Sequence, residues 1–189
     1  MKSKLSTVML GAVLAFAAVA AQADEYVDTI NVFKKAGKSA AFFKDSYGYA
    51  VFPTVGKGGL VVGAAHGNGR VYQRGEYVGD TSITQLSIGF QAGGEVFSEI
   101  IFFENKAAFD KFTAGNFELA ATAHATAITA SASATASTTG SGAGISGTKD
   151  NAATAGNYQD GVAIFTVAKG GLMYEASVAG QKFSYKPNR

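Results

Sequence analysis

Two stretches of this chain repeat one another. Residues 50–60 read AVFPTVGKGGL and residues 163–172 read AIFTVAKGGL, and with Pro53 removed they align almost position for position. Each copy is a short apolar run, a lysine, two glycines and a second apolar run. Such runs, punctuated by glycine pairs, read as strands joined by tight turns. The copies therefore predict two hairpins, turning at Gly58-Gly59 and at Gly170-Gly171. Adjacent glycines reach positive φ cheaply and let backbone N–H groups converge on an anion. A lysine beside them adds a mobile point charge suited to phosphate. Lys57, Gly58, Gly59, Lys169, Gly170 and Gly171 are thus candidate lipid-headgroup-binding residues, although two plain hairpins with solvated lysines fit the same composition.

Between and around the copies the pattern is mostly strand. Ala50-Val51-Phe52-Pro53 reads as a short strand ended by proline, Leu60–Ala65 as a second, and Gly67-Asn68-Gly69 as a hairpin turn leading into Val71 and Tyr72. Glu76–Asp80 reads as a polar link. Leu86, Ile88, Phe90 and Ala92 alternate with polar or small residues, the period of a half-buried strand. Gly93-Gly94 reads as a turn into the apolar run Val96–Phe103. Asn105 is placed to cap a short helix carrying Phe109 and Phe112 and stopped by Gly115. In residues 119–137 alanine alternates with threonine, serine and histidine with one slip of phase, which predicts a strand with one bulge. Thr138–Gly156 reads as a flexible loop. Val162–Val167, Leu172–Val178 and Lys182–Tyr185 read as three closing strands.

The N-terminal 45 residues differ. Lys2 and Lys4, the apolar run Leu5–Ala21 and the small-x-small triplet Ala21-Gln22-Ala23 form a secretory signal pattern, predicted to be cleaved after residue 23. The run is short of the ~20 residues of a spanning helix. Asp24–Asp45 then reads as helix, bent or divided at Gly37, with Tyr26, Ile30 and Phe33 on one face. Lys34, Lys35 and Lys38 lie close to Phe33, Phe42 and Phe43, as in interfacial helices on anionic lipid, so they form a candidate membrane-facing basic helix. An ordinary surface helix packed on the core accounts for the same residues.

Composition narrows the function. The 16 Lys+Arg against 14 Asp+Glu become 14 against 14 once Lys2 and Lys4 leave with the signal segment. A neutral chain lacks the broad positive field that nucleic-acid binding needs. No cysteine is present, so thiol chemistry, disulfides and thiolate metal sites are excluded. His66 and His124 have no ligand spacing, which leaves metal unsupported. The G-x-G-x-x-G match at Gly142–Gly147 lacks the strand and helix of a dinucleotide site. No cofactor is implied, and an enzyme is the weakest option.

The run YGYAVFPTVGKGGLVVGAAHGNGRVY (47–72) resembles the opening of the SYLF domain. The blocks at 84–112, 117–127 and 162–185 resemble that family's later blocks in the same order. The resemblance implies a lipid-binding module without catalytic activity, and it makes the two Lys-Gly-Gly triplets signature positions. Eukaryotic members bind phosphoinositides and, in yeast, actin; an exported chain does not meet actin unless delivered into a host cell, so actin is not expected as a partner.

The expectation is a signal peptide (1–23) followed by one domain (24–189). Its predicted class is α+β: a mostly antiparallel curved sheet, sandwich or partial barrel, with an N-terminal helix and one short internal helix. The expected function is recognition of phospholipid headgroups, acyl chains or an anionic membrane surface in the periplasm or cell envelope. The alternative is a structural or stress-related envelope protein acting through homo-oligomerisation or protein contacts.

Overall fold

The computed structural model describes residues 25–36, 39–128, 158 and 160–188, with the backbone alone at 90–91, 120–128 and 170–179. Residues 1–24, Gly37, Lys38 and the 129–157 stretch lie outside the described residues. Three helices are described: α1 (25–35), α2 (Ser39–Asp45) and α3 (Lys106–Thr113). Five strands accompany them: β1 (Gly48–Gly59), β2 (Val62–Gln73), β3 (Glu76–Phe103), β4 (Phe117–Ile128) and β5 (Val162–Pro187).

All the pairings are antiparallel, and two very long strands organise them. β1 and β2 form a hairpin around Leu60 and Val61, with Gly59 opposite Gly63. β3 runs along both of its strands: residues 76–88 pair with β2, and residues 93–103 pair with β1. Between these halves β3 turns a corner at Gly89 and Gly93, whose φ values are 148° and 118°. β5 follows β3 from Val162 opposite Phe103 to Pro187 opposite Gly79, and β4 adds to the second half of β5. The seven strand segments thus curve, in the order β4, late β5, early β3, β2, β1, late β3, early β5, into an antiparallel half-barrel. The α+β class with a curved sheet, a first helix and a short internal helix is as the sequence predicts.

Strand alternation splits the apolar residues between two cores. Inside the curve, Phe52, Val71, Ile83, Ile101, Phe103 and Phe183 close over Phe109 and Phe112 of α3, which plugs one end. Outside, Val51, Ile100, Phe102 and Phe165 pack against Ile30 and Phe33 of α1, with Phe42 and Phe43 of α2. α3 begins where Asn105 accepts a hydrogen bond from the Ala108 amide, and positive φ at Gly115 follows its end. Ser39 starts the second helix with its hydroxyl donating to the carbonyls of Phe33 and Ala36, so the helical region read over 24–45 is divided into two helices, one of the two outcomes the sequence allows.

Several local expectations are corrected. Gly67-Asn68-Gly69 lies mid-strand in β2. The turn is Arg74-Gly75, both at positive φ. The glycines serve close approach instead, because a Cβ at Gly69 would stand 2.5 Å from the Phe52 ring. Pro53 does not end a strand: β1 runs through it at a bulge, where its missing N–H costs no ladder bond and Ser98 donates to its carbonyl. Glu76–Asp80 is strand, and Gly93-Gly94 is a corner within β3. The three closing strands are one, β5. β4 has a bulge between Leu119 and Thr122, and the phase slip near residue 129 with the rest of the 119–137 strand lies outside the described residues.

Candidate functional site: a polar strut beneath an apolar tip

The Lys-Gly-Gly triplets are not turns. Gly58 and Gly59 are in β1, neither at positive φ, and Gly170 and Gly171 are in β5. The structure does bring the triplets to one level, on either side of β3: Gly58 and Gly59 face Gly94 and Gly93, while Gly170 and Gly171 face Val96 and Glu95. This glycine-rich band is the corner of the half-barrel, where bare backbone lets the strands fold over. The repeat marks two strands that bend at the same place.

The lysines themselves part company. Ala50 sits opposite Ile101 but Ala163 sits opposite Phe102, and a shift of one residue exchanges the faces of a strand. Ala50 and Phe52 accordingly point inward, whereas Ala163 and Phe165 point outward beneath α1. Lys57 is buried inside the curve at 7% exposure. Lys169 is the extra residue of a bulge between Val96 and Phe97 and lies on the outer side. Its Nζ donates to Thr54 Oγ1 at 3.0 Å and to Glu25 Oε1 at 3.3 Å. The Thr54 hydroxyl, 2.7 Å away, holds the Glu25 carboxyl below its ordinary value; partial burial opposes this and Lys169 adds to it. The two ammonium groups therefore do not form a joint cradle.

The interior around Lys57 is polar. Glu95 stands opposite it on β3, and Glu99, four residues further along, is 1% exposed. Gln181 of β5 donates its amide to Glu99 Oε2 at 3.2 Å and to Gln85 Oε1 at 3.1 Å. Glu99 belongs to the late half of β3, and Gln85 and Gln181 to the early half of β3 and the late half of β5. The trio is a strut across the hollow of the half-barrel. Burial pushes the Glu99 carboxyl up to about 7, against the opposing Gln181 hydrogen bond and Lys57 charge. Glu99 Oε1 is buried with no hydrogen-bond partner. None of these residues except Lys57 was visible as a site in the sequence. The available signal was Glu99 as the sole charge within the apolar run 96–103.

Beyond the corner the hairpin ends in bare hydrocarbon. Leu60 and Val61 are 71% exposed, and Val62, Leu86 and Ile88 are each more than 60% exposed. Val62 pairs with Ile88 and Ala64 with Leu86, which joins these side chains into one cluster. Residues 60–69 and 81–94 carry no Lys, Arg, Asp or Glu. The basic helix lies elsewhere. Glu25 starts α1 beside Thr54, and the Arg70 guanidinium stacks 4.3 Å from the Tyr26 ring. Lys34, near the other end, lies 5.5 Å from the ring of Phe43, which packs on Tyr49 at the start of β1. α1 thus runs back along β1, carrying exposed Lys34 and Lys35 away from the tip; Lys38 is outside the described residues.

Over 158 residues the chain is 27% identical to Beta cell expansion factor A of Aeromonas veronii, an alignment covering 82% of this chain and 51% of that protein. The chain spans about half the length of that curated relative. No solved structure matches it. Residues 84–188, more than half of the chain and all of β5, match the family described as "Las17-binding protein actin regulator". The chain therefore belongs to that family, Ysc84, the SYLF-domain proteins its sequence resembles.

Proposed function

We propose that this protein is an exported, non-catalytic module that binds phospholipid bilayers by burying its hairpin tip. The carrying observation is the uncharged, exposed cluster of Leu60, Val61, Val62, Leu86 and Ile88 at a projecting end of the half-barrel. Five largely exposed aliphatic side chains leaving water contribute roughly 1–2 kcal/mol each, enough to offset part of the cost of immobilisation. An end at which β1, β2 and β3 contribute only uncharged residues over 60–69 and 81–94 suits entry among acyl chains. Lys169 lies about five residues back from the tip, roughly 17 Å along the strand. There its ammonium can exchange the exposed Glu25 for lipid phosphate.

Flotation of the mature protein with vesicles tests this. Wild type is expected to float with both neutral and anionic vesicles, more strongly with anionic. A Leu60→Asp/Val61→Asp variant should lose about a hundredfold in affinity while remaining folded, since both side chains are outside the cores. Flotation of that variant equal to wild type would refute the tip as the contact. Light-scattering growth of wild type without lipid, abolished in the same variant, would instead favour the homo-oligomer.

A second expectation concerns Lys169. Its pair with Glu25 is solvent-exposed, so Lys169→Gln should change stability by less than about 1 kcal/mol. The variant should weaken flotation with anionic vesicles and leave neutral ones unchanged. A stability loss well beyond that value in chemical denaturation would assign Lys169 to the fold.

A further inference from the structure

On the outer surface the chemistry changes abruptly at one row of the sheet. His66 of β2 stands opposite Thr84 of early β3, and Thr84 opposite Lys182 of late β5, so the three are cross-strand neighbours. The His66 Nδ1 lies 3.4 Å from Thr84 Oγ1, and the exposed Lys182 ammonium lies 2.9 Å from the Glu118 carboxylate on β4. The row continues onto β1, where Gly56 is opposite both His66 and Val96. Lys169, in the bulge between Val96 and Phe97, meets the same level from the side of α1.

From this row toward the tip, the outward residues of β1, β2 and early β3 are apolar or glycine: Gly58, Ala64, Val62, Leu86 and Ile88, all exposed. Lys57 and Glu95, opposite one another, belong to the inner set, and Glu175 of β5 pairs with Gln91 in the same register parity as Gln181 with Gln85. Away from the tip the surface is polar. The next row is Asn68, Ser82 and Ser184, with the two serine hydroxyls 2.7 Å apart, and the one after it is Arg70, Asp80 and Lys186. The apolar collar has a definite height. His66 is five residues from Val61, and Thr84 five from the corner at Gly89, roughly 17 Å of strand. The hydrocarbon of one leaflet is half of a core about 30 Å thick. Hydrocarbon first, then cations and hydroxyls, then polar surface is the profile met on leaving a leaflet; a protein partner would need no such boundary at one level on both sides of β1.

We propose that the row His66–Thr84–Lys182, with Lys169 at the same level, is a phosphate-binding belt that stops the half-barrel upright in one leaflet, the collar above it among acyl chains and the rows below it in water. At the belt the Thr84 hydroxyl and the Lys182 ammonium donate to a phospholipid phosphate, which replaces the exposed Glu118 carboxylate in front of Lys182. The flexible stem of Lys182 lets its charge follow the phosphate level while its methylenes cover the collar. This inference rests on the bilayer reading of the tip and adds to it a depth, an orientation and a second headgroup contact.

The absence of cysteine makes the test direct. Ile88→Cys, Leu86→Cys and Ser82→Cys each place one environment-sensitive fluorophore along the outer side of β3 in the mature protein, which is bound to mixed phosphatidylcholine and phosphatidylglycerol vesicles. Labels at 88 and 86 should shift to the blue and be quenched by nitroxides on the acyl chains, whereas the label at 82 should stay open to aqueous iodide. Lys182→Gln should weaken binding to these vesicles about fivefold, and Glu118→Gln, which removes the competing carboxylate, should strengthen it; both should leave binding to pure phosphatidylcholine unchanged. A wild type that does not float removes the tip reading and the belt with it. With flotation intact, a wet label at 86, a buried label at 82, or Lys182→Gln binding equal to wild type would overturn the belt alone. A blue shift at 86 and 88 without vesicles would assign the collar to a second copy of the chain and overturn it as well.

Discussion

Replacing Phe183 by alanine should lower the free energy of unfolding by about 3–5 kcal/mol, a large share of what a domain of this size has. Phe183 is 1% exposed and lies where four elements meet. Its ring centroid is 5.8 Å from that of Phe52 on β1, 5.4 Å from Phe112 on α3 and 6.0 Å from Phe117 on β4. Truncation removes the aromatic surface and leaves a cavity that rings held by three different elements cannot collapse into. Urea unfolding followed by circular dichroism measures the effect, and a loss below about 1 kcal/mol would show that this interior is not packed as described.

The second large effect depends on pH. The Glu99 carboxyl is raised to about 7 in the folded protein from an ordinary 4.5. Between those values the folded state binds a proton that the unfolded state has released. Stability from this group is therefore fully present below pH 4.5, falls as pH rises, and is lost above about 7. The full span corresponds to about 3 kcal/mol. Glu99→Gln should flatten the profile between pH 5 and 8 and make the protein more stable than wild type at pH 8. The Glu25 carboxyl, held low, acts in the opposite sense on the acid side and does not mask this window. A wild-type unfolding free energy that stays constant or rises from pH 5 to 8 would contradict the buried environment assigned to Glu99.

The elements legible from sequence were those whose cause is local. Asn105 and Gly115 delimit α3 because capping and positive φ act within a few residues. The division between α1 and α2 is local too, since the Ser39 hydroxyl closes the first helix on the carbonyls of Phe33 and Ala36. Glycine was read less well, since it serves two purposes that look alike in one dimension. Gly75 makes a turn by its φ, whereas Gly69 makes room for the ring of Phe52 from a neighbouring strand. Long strands were cut into pieces wherever glycines fell, at Gly93-Gly94, Gly170-Gly171 and Gly180. Pairing along the whole of β3 and β5 holds such strands together despite their weak propensity.

The candidate site shows the same division. The repeat at 50–60 and 163–172 was plain, but its meaning depended on register. One residue of offset against β3 sent Lys57 into the interior and Lys169 to the surface. The strut was not legible, because Gln85, Glu99 and Gln181 lie on strands whose partners are up to about a hundred residues apart.

By itself the amino-acid sequence determined the strand-rich class, the helical start, the family and the absence of thiol chemistry, because composition and short-range periodicity suffice for these. Only the tertiary structure decided which lysine is buried, which glycines bend the sheet, and that the apolar residues at 60–62, 86 and 88 form one exposed tip. Those outcomes turn on strand register and on the curl of the sheet. Both are set by pairing between distant segments, which no window of sequence contains.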